Sequence, residues 1–435
     1  MTLKFGTDGV RGVALTELTT DFAAALARAA TDVLGGGRWL IGRDTRESGE
    51  ALEAAVAAGL AAGGADPVSV GVVPTPALAW MAEHLGVPAA MITASHNPWT
   101  DNGVKVFAAG GTKLPDDVEG AIEGRLRADV HHPGVEVVRD PAAVDGYVRH
   151  LLALHSSLEG MRVVLDCANG AMSRVAPRVF SELGADVVVL HADPDGRNIN
   201  LECGATHTAS LQAAVVAEGA AVGLAFDGDG DRVIAVDHLG RVVDGDRLIA
   251  LGALQLREEG RLPTGTVVVT VMSNLGFHRA MQVAGIEVQT TAVGDRYVLE
   301  ALEAGGHGIG GEQSGHIIYR DLATTGDGLL AGLRLAQYVH GHHRSLADLA
   351  ADVMESFPQV LVNVRVAERH PDAAAELAAE IAAAEPLLGG AGRILVRASG
   401  TEPLIRVMVE AATTETARSV AEGLAEEVRR RFGDG

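Results

Sequence analysis

Val163-Val164-Leu165-Asp166 opens a stretch that closes at Leu183-Gly184-Ala185-Asp186-Val187-Val188-Val189. The β-branched runs at its two ends suit buried parallel strands, and the glycine is the expected stop of a helix between them. The pattern occurs twice more. Trp39-Leu40-Ile41-Gly42 leads through an Ala-rich helix to Gly63-Gly64-Ala65-Asp66-Pro67-Val68-Ser69-Val70, and Val267-Val268-Val269-Thr270 leads to Ala284-Gly285-Ile286-Glu287-Val288-Gln289. Strand, helix, strand in that order predicts a crossover unit with parallel strands. The copies lie too far apart for a solenoid, so three similar α/β domains with mixed sheets are expected.

The last part of the chain has a different rhythm. Val360 to Val366, Arg393 to Arg397 and Leu404 to Val409 read as strands, with helices over about Asp372 to Ala384 and Glu415 to Arg431. This predicts a small C-terminal α+β domain. The expected division is 1–150, 151–253, 254–360 and 361–435.

Apolar residues make up 47% of the 435 residues but aromatics only 3%, so the cores must be built from Ala, Val, Leu and Ile. A net charge of -22 argues against a nucleic-acid partner, which demands clustered Lys and Arg. The first residues lack the apolar stretch of a signal peptide, and no apolar run is long enough to span a membrane. Cys167 and Cys203 are the only cysteines, which excludes a disulfide framework or a Cys-rich zinc site and predicts a cytoplasmic protein. Cys167, inside an apolar run, reads as a core residue.

Four loops carry chemistry. Met91-Ile92-Thr93-Ala94-Ser95-His96-Asn97-Pro98, followed by Lys105, sets a serine hydroxyl beside a histidine on a bend, a candidate covalent carrier or only a turn. Phe226-Asp227-Gly228-Asp229-Gly230-Asp231-Arg232 joins two apolar runs. Its carboxylates at alternate positions can converge on one hard cation, with Mg²⁺ favoured over Ca²⁺. An EF-hand fails, because the sixth and twelfth positions from Asp227 are Arg232 and His238. An aspartyl phosphatase, with Asp227 as nucleophile, remains a rival. Gly310-Gly311-Glu312-Gln313-Ser314-Gly315-His316 presents a carboxylate, a hydroxyl and an imidazole, suited to sugar hydroxyls or an amine.

A fourth loop, Arg397-Ala398-Ser399-Gly400-Thr401-Glu402-Pro403 with Arg406 beyond it, offers hydroxyls, exposed amides and two guanidinium groups, as a phosphate dianion requires. Phe5-Gly6-Thr7-Asp8-Gly9-Val10-Arg11-Gly12 adds a glycine-spaced loop with one Arg.

Together these strings resemble the α-D-phosphohexomutase superfamily over essentially the whole chain and in the same order. The stretches Gly196 to His207, Val293 to Val298 and Thr324 to Gly328 resemble its phosphoglucosamine branch. The resemblance implies four domains around a central cleft and interconversion of glucosamine 6-phosphate and glucosamine 1-phosphate. It implies that Ser95 is a phosphoserine, and that Ser95, Asp227, Asp229 and Asp231 hold Mg²⁺. Arg11, His96, Lys105 and Arg232 would surround the transferred phosphoryl. Glu312, Ser314 and His316 would grip the sugar, and Arg397, Ser399, Gly400, Thr401 and Arg406 the phosphate that does not react. Partners implied are a phosphorylated amino sugar and a priming sugar bisphosphate or kinase, with a homodimer as the assembly entertained. One departure stands out. Hexose-specific relatives often carry Lys before a Gly-His pair where this chain reads Ala292-Val293-Gly294-Asp295, which fits an amino sugar better than a neutral hexose. Phosphoglucomutase or phosphomannomutase activity on neutral hexose phosphates is the alternative within the superfamily, and a non-catalytic phosphosugar-binding protein lies outside it.

Overall fold

Each of the three strand–helix–strand stretches forms a parallel pair in the computed structural model, which describes residues 3–6, 8–127, 135, 137–398 and 403–433. The first sheet contains β1 (Val10–Val13), β2 (Gly37–Arg43), β3 (Ala65–Val72), β4 (Ala89–Ile92), β5 (Asp101–Phe107) and β6 (Val138–Arg139), in the order β1-β5-β4-β2-β3-β6. The second contains β7 (Arg162–Asp166), β8 (Asp186–Leu190), β9 (Val222–Phe226), β10 (Val233–Asp237) and β11 (Val242–Val243), ordered β11-β10-β9-β7-β8. The third contains β12 (Thr266–Thr270), β13 (Glu287–Thr291), β14 (Ile309–Gly311) and β15 (Ile317–Tyr319), ordered β13-β12-β14-β15. Leu40 pairs with Val68, Val164 with Val188 and Val268 with Gln289 in the three parallel ladders.

The sheets share a second feature. One further parallel strand (β4, β9 or β14) is followed by an antiparallel neighbour (β5, β10 or β15). The loop at that reversal carries Ser95 in the first sheet, the Asp trio in the second and Glu312 to His316 in the third. The three chemical loops therefore occupy one topological position, repeated.

The scarcity of aromatics is met by close helix packing. Helix Thr20–Leu34, capped by the Thr19 hydroxyl, lies against helix Gly49–Ala62. A Cβ on Gly59 would come 2.1 Å from the Ala24 carbonyl oxygen. Ala, Leu, Ile and Val side chains fill the core beneath.

The chain divides into two compact units, residues 1–272 with 286–353, and residues 273–285 with 354–435. The second unit carries a wholly antiparallel sheet of β16 (Gln359–Arg365), β17 (Arg393–Ala398) and β18 (Leu404–Glu410), ordered β16-β18-β17. Helix Thr414–Phe432 packs on it. The single helix expected over 372–384 is instead two, Ala373–Glu376 and Ala378–Ala384. Leu377 lies between them, off helical geometry and buried in that unit's core. No helix among the described residues is long and apolar enough to cross a membrane.

Candidate active site

Ser95 is fully buried and adopts φ of 52°, a conformation costly for a non-glycine residue. Hydrogen bonds hold it there. Its N–H donates to Thr93 Oγ1 at 2.9 Å, and its carbonyl oxygen accepts from Arg46 Nη2 and Asn200 Nδ2, each at 2.9 Å. Arg46 also donates to the carbonyls of Asn97, Pro98 and Asp101, so one guanidinium stitches the whole bend. Gly228 comes so near that a Cβ there would lie 2.5 Å from the Ser95 oxygen. This close approach lets the Ser95 hydroxyl donate to Asp227 Oδ2 at 2.6 Å.

Ligand atoms of Asp227, Asp229 and Asp231 all lie within 4.8 Å of one another, and all three residues are buried. Burial and the neighbouring Asp231 and Asp229 charges push the Asp227 carboxyl well above the usual carboxylate range. Asp229 Oδ2 accepts from Thr75 Oγ1 at 2.6 Å and from Lys105 Nζ at 2.8 Å, while Asp231 Oδ2 accepts from Lys105 at 3.1 Å. Asp229 Oδ1 and Asp231 Oδ1 are buried and accept no hydrogen bond. Unsatisfied carboxylate oxygens on one side of a crowded acidic loop fit a hard divalent cation.

Positive charge surrounds the trio. Lys105 also lies 2.9 Å from Asp8, and Lys113 reaches both Asp8, at 2.7 Å, and Asp295. Burial alone would lower the Lys105 pKa, but Asp229, Asp231 and Asp8 outweigh it and hold it well above its usual value. Burial alone would raise Asp8, but Lys105, Lys113 and Arg11 hold it well below. Arg11, on β1, is ion-paired with Asp8. Arg232 donates its backbone N–H to Asp227 Oδ1 at 3.1 Å and stays charged beside Asp231, Asp227 and Glu312 despite its burial. His96 Nδ1 is 3.4 Å from Ser95 Oγ, and burial, with Arg232 and Arg11 nearby, lowers the ring to about 4.

The third loop joins this cluster through the backbone. The Val233 N–H donates to the Gly315 oxygen, and Arg232 and His316 form an isolated antiparallel bridge. Gly315 has φ of 91°, with the Val233 oxygen where a Cβ would be. His316 is buried, with Nδ1 3.7 Å from Asp231 and Nε2 accepting the Gly326 N–H at 3.1 Å. That acceptor role leaves the ring proton on Nδ1, facing Asp231. Glu312 Oε1 accepts from the Gly294 N–H at 3.2 Å, and Ser314 is exposed.

In the second unit, Arg397 on β17 and Arg406 on β18 are direct cross-strand partners, so both side chains leave the same face of the sheet. Ser399, Gly400 and Thr401 lie outside the described residues.

Models for the phosphoglucomutase/phosphomannomutase α/β/α domains I, II and III match residues 2–131, 145–240 and 244–357, and that for the C-terminal domain matches 361–427. A phosphoglucosamine mutase of Frankia casuarinae is 56% identical over 449 residues, covering 99% of this chain and 98% of the relative. The chain belongs to the phosphoglucomutase/phosphomannomutase family, within the α-D-phosphohexomutase superfamily. A second phosphoglucosamine mutase, from Frankia alni, is 55% identical over 450 residues, 99% of this chain and 98% of that one. Among solved structures, a putative phosphomannomutase of Thermus thermophilus superposes with a TM-score of 0.83 at 25% identity, covering 99% of each chain. Membership of this mutase family implies a divalent metal, and the acidic trio is the candidate to hold it.

Four residues that shape the site were not singled out from sequence: Arg46, Thr75, Lys113 and Asn200. Asn200 lies in the quoted stretch Gly196 to His207, but its partners are in the Ser95 loop, far away in the chain. Lys113, after Gly110-Gly111, carries no pattern that marks a lysine bridging two loops.

Proposed function

We propose that this protein interconverts glucosamine 6-phosphate and glucosamine 1-phosphate through a phosphorylated Ser95. One observation carries the reading: the Ser95 hydroxyl lies 2.6 Å from Asp227 in the same buried cluster where Lys105 bridges Asp229 and Asp231. A phosphoryl carrier, a cation site and a fixed positive charge are what phosphoryl transfer needs together. The names carried by the two Frankia relatives support the amino sugar over a neutral hexose.

Phospho-Ser95 passes its phosphoryl group to the sugar's free anomeric hydroxyl. The P–Oγ bond breaks, a P–O1 bond forms, and the hydroxyl proton ends on the serine oxygen through a base. The bisphosphate turns over, and its 6-phosphate returns to Ser95 by the reverse chemistry. Lys105, Arg11 and Arg232 offset charge on the transferring group without needing to reorient. Among the candidate bases, His96 is the ring against the Ser95 hydroxyl. Lys105 is locked among three carboxylates, and His316 Nε2 is engaged by Gly326. Mg²⁺, held by Asp227, Asp229, Asp231 and the Ser95 phosphate, would neutralise the non-bridging oxygens. Glu312, Ser314 and His316 take the sugar. Arg397 and Arg406, like charges held side by side, take the distal phosphate with Ser399, Gly400 and Thr401.

With this reading go the four-domain division at 150, 253 and 360, a cytoplasmic location, priming by a sugar bisphosphate or a kinase, and a homodimer. Two measurements test it. Incubation with a sugar bisphosphate should add about 80 Da at Ser95, read by intact mass and peptide mapping. Glucosamine 6-phosphate should outcompete glucose 6-phosphate in a mixed assay. Label on Asp227 in place of Ser95, or phosphate release that survives Ser95→Ala, would turn the case toward the aspartyl phosphatase.

A further inference from the structure

Away from the acidic trio, Asp166 at the end of β7, His191 just beyond β8 and Cys203 offer ligand atoms that all lie within 4.8 Å of one another. His191 Nδ1 is 3.1 Å from Asp166 Oδ1. Nδ1 is buried, yet this contact lacks hydrogen-bond geometry and the atom has no other partner. An imidazole nitrogen so near a carboxylate oxygen, without a proton lined up between them, is the arrangement two ligands of one ion adopt. Tetrahedral geometry with ordinary zinc bond lengths separates nitrogen and oxygen ligands by about 3.3 Å, and sulfur from either by about 3.6 Å.

From this geometry we infer a second metal site, in which Asp166, His191 and Cys203 bind a thiophilic divalent cation of the zinc type. The donor set of carboxylate, imidazole and thiolate is softer than the all-oxygen trio of Asp227, Asp229 and Asp231, so the two sites select different ions. Cys203 and Asp166 are fully buried, whereas the His191 side chain is 31% exposed, so an ion would enter from the imidazole side and take a water as its fourth ligand. Asp166 is already aimed: the Ala168 N–H donates to Oδ1 and the Gly204 N–H to Oδ2, both at 3.0 Å. Donors of this kind orient a metal-binding carboxylate while leaving it further lone pairs. On binding, the Cys203 S–H bond is replaced by a metal–sulfur bond and the proton leaves to solvent.

The site ties the chain around residues 191–203 to the end of β7. That chain carries Asn200, which holds the Ser95 carbonyl oxygen. The ion is therefore a structural clamp behind the Ser95 loop and not a participant in phosphoryl transfer.

The test uses full-length protein stripped of metal and saturated with Mg²⁺ to occupy the oxygen site, then titrated with Co²⁺. The expected result is a thiolate-to-cobalt charge-transfer band that saturates at one ion per chain and is bleached by Zn²⁺. Cys203→Ser should abolish the band, His191→Ala should weaken Co²⁺ binding by at least about tenfold, and Cys167→Ala should leave both unchanged. Should Cys203→Ser fail to fold, His191→Ala, at a partly exposed position, gives the answer alone. Absence of the band in the wild type, unaltered binding in His191→Ala, or loss of the band only in Cys167→Ala would overturn the assignment.

Discussion

Arg46 donates from Nη2 to the carbonyl oxygen of Ser95 at 2.9 Å, and this buried contact sets the pose of the proposed phosphoryl carrier. Arg46 is itself held by Asp44, with Nε 2.8 Å from Oδ2 and both side chains fully buried. Truncation to alanine would strip the bend of its donors and leave a buried carboxylate uncompensated. Arg46→Ala should therefore lower the unfolding free energy by about 3–5 kcal/mol in urea titrations. Arg46→Lys should recover little of it, because one ammonium cannot reach the same carbonyls. A fully stable Arg46→Ala protein would show that the bend holds itself.

Gly228 offers a purely steric test. A Cβ at this position would lie 2.5 Å from the Ser95 oxygen and 2.8 Å from Asn200 Nδ2. The acidic loop and the serine loop would have to separate. Gly228→Ala should cost roughly 10²-fold in kcat, as expected for a misplacement of about an ångström. Phosphorylation of Ser95 by a sugar bisphosphate should slow in parallel, and an unaffected rate would show that the two loops tolerate separation.

The facing pair Arg397 and Arg406 separates binding from chemistry. If they hold the phosphate that does not react, Arg397→Ala should raise KM by about tenfold or more, with a smaller change in kcat. An unchanged KM would remove Arg397 from the anion site.

Asp327 provides a pH signature outside the chemical loops. Burial raises its carboxyl from the usual 3.8 to about 6, although the Leu330 N–H and the Tyr147 hydroxyl donate to it. Between about pH 4 and 6 the folded chain holds this proton more tightly than the unfolded chain. The group's contribution to stability is thus greatest below pH 4, declines as pH rises to 6 and is flat above. Asp327→Asn keeps an acceptor without the charge. It should stabilise the protein at pH 7 by at most about 2–3 kcal/mol, and the advantage should vanish near pH 4. An advantage independent of pH would mean that Asp327 is charged in the fold throughout.

Much of this molecule is written locally. The three parallel pairs were legible because β-branched runs and helix-stopping glycines act within a few residues of each other, and Gly64, Gly184 and Gly285 do adopt positive φ. The loops bearing Ser95, Asp227 to Asp231 and Glu312 to His316 stood out for the same reason: their chemistry is concentrated in short strings. The break at Leu377 was not legible, because Ala-rich sequence on both sides favours a continuous helix and only burial of that leucine decides otherwise.

Composition and short-range pattern were enough to specify the three parallel strand pairs, the strands of the C-terminal sheet and the loops that carry the reactive groups. Folding alone decided that Arg46 and Asn200 meet at one carbonyl, that Lys105 and Lys113 bridge Asp8 to the acidic trio and Asp295, and that Asp166, His191 and Cys203 face a common point. Such contacts join residues far apart in the chain. They form only when whole sheets pack, and packing is a property of burial and close approach that no single stretch of chain encodes.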